Sequence, residues 1–316
     1  MPAGKAFFFA ALVAHASATK RGLIGVDNAH SFGDQPTLMA GTQLSWAMNY
    51  GVGPGNASWF AGLEYVPQLW GGNDAASFMD EVLKQDPLPK HILTFNEPDG
   101  FGGGQATMTP AKAAELWQKY VEPLKQHNMS LGSPACTGSN GGIIWLEQFL
   151  GNCSSSTCTV DFITTHWYGD YQGLADHLGH LNSVANGTKK IWVTELGIAH
   201  TTLQATESMY NSSIAWLDSL SWVDRYAWFG AFRSIESNLG PNATMLDAQG
   251  QLTQLGRQYL NSPPASGTTS STIMATATTR TIASASSTAR ASAGDSLFSY
   301  QGFWVVVLGA GAVHLL

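Results

Sequence analysis

The chain has 316 residues and only three cysteines. They form no C-x-x-C pair and no Cys/His spacing that would hold zinc. The sequence also lacks G-x-S-x-G, H-E-x-x-H and a Walker loop, which removes three common catalytic chemistries. The glycine run Gly100-Phe-Gly-Gly-Gly-Gln is not the G-x-G-x-x-G of a dinucleotide site. Positive charge is scarce: 15 Lys and Arg stand against 22 Asp and Glu, a formal charge of −7. No basic patch is present, so no nucleic-acid partner is expected. No apolar run reaches the roughly 20 residues that a membrane span needs.

Aromatic residues are plentiful, with 11 Trp, 9 Tyr and 14 Phe. In a neutral-to-acidic chain that richness fits carbohydrate binding, where flat rings meet the apolar faces of sugars. For each aromatic alone, core packing is the plainer reading.

Both ends read as processed. Lys5, the apolar run from Ala6 to Ala14 and then Ala16-Ser17-Ala18 form a secretory signal peptide pattern. The pair Lys20-Arg21 suggests a second trimming, so that residues 1–21 are lost and Gly22 starts the mature chain; removing Lys5, Lys20, Arg21 and, at the other end, Asp295 takes its charge to about −9. Residues 263–292 are Ser, Thr and Ala with few charges, cannot bury a core, and read as an O-glycosylated stalk or a plain linker. Small residues Ser292, Ala293 and Gly294, a short spacer and the apolar end Gly302 to Leu316 have the layout of a GPI-anchor signal over 293–316. A short tail anchor is the alternative. Sequons at Asn56, Asn128, Asn152, Asn186, Asn211 and Asn242 support a secretory route. Cys153 and Cys158 are close enough in a polar stretch to close a small disulfide loop, leaving Cys136 free.

Residues 22–262 hold the folded domain. Short apolar runs recur at Gly22–Val26, Leu44–Tyr50, Glu64–Trp70, His91–Asn96, Ser130–Ala135, Asp161–Tyr168, Lys190–Leu196 and Arg225–Phe232. Helical patterns lie between most of them, the clearest opened by Thr109 as N-cap with Pro110 at the first helical position. The first two connections are poorly helical. Eight alternating units over about 240 residues predict an α/β fold, a single (β/α)₈ TIM barrel. An open doubly wound sheet is the second choice.

In such a barrel the chemistry sits at the strands' C-terminal ends. The fourth run, ILTFNEPD, ends on Asn96-Glu97, with Pro98 placed to stop the ladder. The seventh, KIWVTELG, ends on Glu195, which follows Ile191 and Val193 on alternating positions. Two strand-end carboxyls are what glycoside hydrolysis requires. His166 and Tyr168 share one face of the sixth run and are placed to orient the second carboxylate. Trp228 is expected as the floor of a sugar site, with Trp46, Asn49 and Trp70 near the loops. His177 and His180 on one helix lack a third ligand, so no metal is assigned.

The segments LSWAMNYG, EYVPQLWG, ILTFNEPD, GSPACT, FITTHWYG, IWVTELG and YAWFGAF, in this order, resemble the alkali-sensitive linkage protein-like glycosyl hydrolases of glycoside hydrolase family 128. The resemblance implies a (β/α)₈ barrel of the retaining clan that acts on β-1,3-glucan, with Glu97 as acid/base and Glu195 as nucleophile. It implies that Asn96 binds the sugar 2-hydroxyl and that His166, Tyr168 and Trp228 line the site. Ala47 and Met48 depart from the family's more aromatic second strand. The resulting expectation is a monomeric β-1,3-glucanase without a cofactor, secreted and GPI-anchored at the cell surface or wall. A non-catalytic glucan-binding wall protein and a transglycosylase are the competing readings.

Overall fold

β-Branched and aromatic runs bounded by Gly, Asn and Asp form eight strands. They are β1 (Arg21–Ile24), β2 (Leu44–Met48), β3 (Glu64–Tyr65), β4 (His91–Asn96), β5 (Ser130–Ala135), β6 (Phe162–Tyr168), β7 (Lys190–Gly197) and β8 (Val223–Trp228). The computed structural model describes residues 19–56, 59–153 and 158–261. The strands run parallel in the order β3-β2-β1-β8-β7-β6-β5-β4. The two edges meet. Gln68, just past β3, bridges Leu93 of β4, and Leu69 N and Leu93 N donate to Leu93 O and Pro67 O at 2.9 Å each. The sheet thus closes as a (β/α)₈ barrel.

Among the described residues there are seven α-helices: α1 (Ser31–Met39), α2 (Ala75–Val82), α3 (Pro110–Leu116), α4 (Asn140–Asn152), α5 (Tyr171–Val184), α6 (Leu203–Ser219) and, after the last strand, α7 (Gln254–Asn261). Thr109 caps α3 by accepting from Lys112 N at 3.2 Å. The helix then loosens to a π turn over Trp117–Val121 and a 3₁₀ turn over Glu122–His127. Pro123 supplies no N–H there, which explains the change of winding. Helix α1 forms where the sequence reads as poorly helical, with Gly33 and Pro36 inside it. Tertiary contacts hold it: buried Asp34 takes a bidentate pair from Arg233, and Leu38 enters the core. The connection from β2 to β3 carries no helix among its described residues.

Adjacent strand residues alternate between two apolar layers. Ile24, Trp46, Leu93, Phe162, Trp192 and Ala227 belong to one. Their neighbours Leu23, Ala47, Ile92, Ile163, Val193 and Tyr226 belong to the other, together with the helices. The first layer therefore fills the barrel and the second lies between sheet and helices. Gly22 leaves room for the interior Trp46, since a Cβ there would stand 2.2 Å from the indole. Below these rings, at the strands' N-terminal ends, Glu64 pairs with His91 Nδ1 and Arg225 at 2.6 Å each. Burial pushes Glu64 up, but those two partners hold its carboxyl down at about 2.

Lys20 and Arg21, which read in the sequence as a trimming site, make contacts in the fold. Lys20 Nζ caps α6 by donating to the carbonyls of Leu217, Asp218 and Leu220. The buried Arg21 guanidinium donates to Tyr226 Oη at 3.2 Å and Tyr259 O at 3.0 Å, and pairs with Asp218 at 3.4 Å. The apolar start, the Ser/Thr-rich run 263–292 and the segment 293–316 lie outside the described residues. Among the described residues no helix is long and apolar enough to cross a membrane. Cys153 and Cys158 are disulfide-bonded and Cys136 is a buried free thiol.

Candidate active site

At the C-terminal mouth, β4 hands Glu97 to the site. Its φ is 44°, a left-handed value that a non-glycine residue adopts only under constraint. The constraint is visible: Glu97 N donates to Ala135 O at 2.8 Å, and Gly100 N and Met108 N tie the loop behind it to Glu97 O and Pro98 O. Pro98 has no N–H to carry the ladder further.

Glu195 reaches the same place by a different route. Ile191 and Val193 belong to the outer layer, so strict alternation would send Glu195 outward with them. A register shift between Val193 and Leu196 of β7 turns the carboxylate into the mouth. The alternation that the sequence suggested is broken at the residue that matters. On β6, Phe162 and His166 keep step on the inward face.

His166 joins the two carboxyls. Its Nδ1 lies 2.9 Å from Glu97 Oε1 and 3.4 Å from Glu195 Oε2. Glu97 Oε2 accepts from Gln105 Nε2 at 2.8 Å. Glu195 accepts two phenol donors, Tyr50 at 2.7 Å and Tyr168. Burial raises the Glu195 carboxyl above the ordinary value, and Glu97 adds to the rise; His166 and the two phenols oppose it without cancelling it. Burial pushes Glu97 the same way, but the hydrogen bonds from His166 and Gln105 outweigh it and hold this carboxyl low. Burial works against charge on His166, and Glu195 and Glu97 overcome it, so the imidazole is raised. Tyr50 and Tyr168 are driven well up by burial and by Glu195, and act as neutral donors.

Asn96 stands beside Glu97. Its Nδ2 donates to Gly104 O at 3.0 Å, while its Oδ1 is buried without a partner. An orphaned acceptor next to a carboxylate suits a ligand hydroxyl. A cavity of about 700 Å³ adjoins the pair through Tyr50, and Asn49, Trp59, Phe60, Trp70 and Gly103 share its wall. Asn49 also shapes the loop, accepting from Tyr65 Oη and from Gly51 N.

The structure thus brings together Glu97, Glu195, Asn96, His166 and Tyr168, and sets Asn49 and Trp70 in the adjoining wall. Two expected residues do not join them. Trp228 faces the helices, packing edge-on against Tyr210 of α6 at 5.5 Å and donating from Nε1 to Ala243 O at 2.8 Å. Odd and even positions of β8 divide between the layers, and Ala227 and Phe229 take the inner one. Trp46 is inside the barrel but below the mouth, packed at a tilt against Trp192 with ring centroids 5.5 Å apart, its Nε1 donating to Lys20 O. Tyr50 and Gln105 are the functional residues that sequence reasoning missed. Tyr50 had a weak signal, an aromatic just before Gly51 at a strand's end; Gln105 in its glycine loop had none.

Among the described residues, Glu97, His166 and Glu195 are the group whose ligand atoms lie within 4.8 Å of one another. His177 is apart from them: its Nε2 meets Thr165 Oγ1 at 2.8 Å, its ring stacks on Trp167, and burial lowers it to about 4. Asn56, Asn128, Asn152, Asn186 and Asn211 are exposed, whereas Asn242 is half-buried and spends its Nδ2 on Thr201 O at 2.8 Å.

Comparison with known proteins agrees with this fold. Residues 25–259 match the family model described as glycosyl hydrolase catalytic core. Alkali-sensitive linkage protein 1 of Schizosaccharomyces pombe is 33% identical over 227 residues, 69% of this chain but 40% of that protein. The chain thus spans less than half the length of that relative. A glycoside hydrolase family 128 curdlan-specific exo-β-1,3-glucanase from Blastomyces gilchristii is 30% identical with a TM-score of 0.64, covering 76% of this chain and 97% of that one. An endo-β-1,3-glucanase of the same family from Pseudomonas viridiflava is also 30% identical, with a TM-score of 0.63 over 78% of this chain and 98% of the other. An Aureobasidium namibiae family 128 structure, at 23% identity and a TM-score of 0.69 over 78% and 98%, shares the fold. The chain belongs to the glycosyl hydrolase catalytic core family, as a protein of the glycoside hydrolase family 128 type.

Proposed function

We propose that this chain hydrolyses β-1,3-glucan with retention of configuration, Glu195 serving as nucleophile and Glu97 as acid/base. The observation that carries the proposal is the meeting of Glu97 and Glu195 across His166, with ligand atoms no more than 4.8 Å apart. Retaining pairs stand about 5–5.5 Å apart and inverting pairs roughly 6.5–9.5 Å, so a pair this close supports the retaining arrangement. The glucanase names of the two 30%-identical structures support the substrate.

The two phenols orient Glu195 and favour its ionised form. Its oxygen attacks the anomeric carbon as the glycosidic bond breaks. The departing oxygen takes a proton held between Glu97 Oε1 and His166 Nδ1. In the resting site the hydrogen bond to His166 holds the Glu97 carboxyl low, and the two carboxylates raise the imidazole. Glu97, then a carboxylate, removes a proton from water, and the hydroxide displaces Glu195 from the sugar. Asn96 Oδ1 accepts from a hydroxyl of the reacting sugar. No step calls on a metal or organic cofactor.

The same proposal puts the protein outside the cell as a monomer, carried by the signal sequence and held at the surface or wall by a GPI anchor beyond the 263–292 stalk. The five exposed sequon asparagines are its glycosylation sites. Laminarin with wild type, Glu97→Gln and Glu195→Gln tests the chemistry. Wild type should release reducing sugar whose first anomer is β, and both variants should lose most turnover. An α product first sinks the retaining mechanism. Longer oligosaccharides in place of shorter ones mean transfer to sugar. Binding of laminarin without turnover of any β-glucan leaves the wall-binding reading in its place.

A further inference from the structure

We propose that Gln105 is a positioning residue for the acid/base: its amide keeps Glu97 Oε2 an acceptor and so confines the transferable proton to Oε1, the oxygen on the nucleophile's side. The inference rests on the hydrolase reading above. The two oxygens of Glu97 have different neighbours. Oε1 meets His166 Nδ1 at 2.9 Å, and the same nitrogen lies 3.4 Å from Glu195 Oε2. Oε2 meets the glycine loop instead, where Gln105 Nε2 donates to it at 2.8 Å.

A glutamine amide can turn over, and its two ends would act oppositely on a carboxylate. The loop decides which end Glu97 sees. Gly102 N, which can only donate, reaches Gln105 Oε1 at 2.6 Å. Turned over, the amide would set donor against donor at Gly102 and acceptor against acceptor at Glu97. The N–H end is therefore fixed on Oε2. Gly100 makes room for it, since a Cβ there would stand 2.1 Å from the Gln105 amide. The loop is pinned in turn to the strand that carries Glu97: Asn96 Nδ2 donates to Gly104 O at 3.0 Å, and Ala106 N to Asn96 O at 2.8 Å.

An oxygen that accepts a fixed N–H is a poor place for a proton, because a hydroxyl there would meet that donor. With Oε2 so held, the proton that Glu97 shares with His166 stays on Oε1, where a glycosidic oxygen between the two carboxyls can take it. The other ionisable groups around Glu97 come from four strands: His166 and Tyr168 from β6, Glu195 from β7, Tyr50 past β2 and Cys136 past β5. Asp99 of its own loop is turned to Thr137, accepting from its N at 3.0 Å. All of them remain when Gln105 alone is replaced.

Gln105→Met, which keeps the length without the amide, and Gln105→Glu test this. The substrates are laminarihexaose and β-laminaribiosyl fluoride, whose leaving group needs no proton. Losing the donor frees Oε2 to hold the proton away from the leaving oxygen, and makes Glu97 keep its proton to higher pH. Gln105→Met should lower kcat/KM on the hexaose roughly tenfold. It should leave the fluoride reaction and the melting temperature unchanged, and move the alkaline limb of the hexaose profile up by about one unit. Gln105→Glu should move that limb further, because a like charge then faces Oε2. Equal losses on both substrates, no loss on the hexaose, or an alkaline limb that stays in place overturns the inference. Should wild type cleave neither substrate, the hydrolase reading has failed instead. An NMR titration of the Glu97 carboxyl then decides the role of Gln105: a midpoint raised in Gln105→Met supports it, and an unchanged midpoint overturns it.

Discussion

Tyr50 Oη donates to Glu195 Oε1 at 2.7 Å, across 145 residues of sequence. Tyr50 has a φ of 66°, so a second residue of this site holds a left-handed backbone. Asn49 and Tyr65 pin the turn that imposes it. Tyr50→Phe removes one of two donors from the nucleophile. Hydrogen bonds to charged groups contribute about 1.5–3 kcal/mol, which predicts a fall in kcat of roughly tenfold to a hundredfold. The donor favours the ionised carboxylate, so the acid limb of the pH profile should also move up. A Tyr50→Phe enzyme with wild-type kcat and acid limb would show that Tyr168 alone orients Glu195.

The wild-type pH profile should be a bell displaced upward from ordinary group values. Glu195 must be ionised to attack, and burial raises it, so activity should appear only above the usual carboxylate range of about 4.5. The proton delivered to the leaving oxygen belongs to the Glu97–His166 couple. The two carboxylates raise the imidazole, so activity should be lost only above about 6.5. Initial rates on laminarin across pH check both limbs. An alkaline limb below 6.5 would remove the proton from this couple.

Much of this site was legible because the barrel converts strand ends into neighbours. ILTFN-Glu97 and KIWVT-Glu195 announce two buried strands that end on carboxylates, and eight such runs place both at one mouth. Orientation within a strand was not legible. A register shift decides that Glu195 points inward, and a shift is a property of the pairing, not of one strand. The same limit misplaced Trp228, because β8 gives no sign of which of Tyr226/Trp228 and Ala227/Phe229 faces the helices. Helix α1 was hidden for another reason. Gly33 and Pro36 argue against a helix locally, and the Asp34–Arg233 pair that overrides them spans 199 residues.

The outward placement of Trp228 makes stability, not substrate affinity, its readout. The indole fills the space between β8 and α6, and its N–H satisfies Ala243 O. Trp228→Ala should cost about 3–5 kcal/mol of stability, with the laminarin KM of the folded fraction little changed. Thermal unfolding and KM, measured on one preparation, separate the two. A large rise in KM at constant melting temperature would return Trp228 to the sugar site.

The last prediction concerns where the folded chain begins. Arg21 opens β1 and buries a guanidinium among Asp218, Tyr226 and Tyr259. The Tyr226 phenol also donates to Asp218 at 2.6 Å, so one network joins β1, β8, α6 and α7. Removing Arg21 strands the buried Asp218 carboxylate without its cation, a loss of about 3–5 kcal/mol for pairs of this kind. Losing Lys20 with it uncaps the three carbonyls at the end of α6. A chain that starts at Gly22 should therefore melt roughly 10 °C below one that starts at Thr19. Arg21→Lys in the longer chain should fall between them, because an ammonium keeps the charge but cannot reach Tyr226, Asp218 and the Tyr259 carbonyl together. Equal melting temperatures for the two chains would show that the network adds nothing to the barrel. Trimming after Arg21 would then be compatible with the fold.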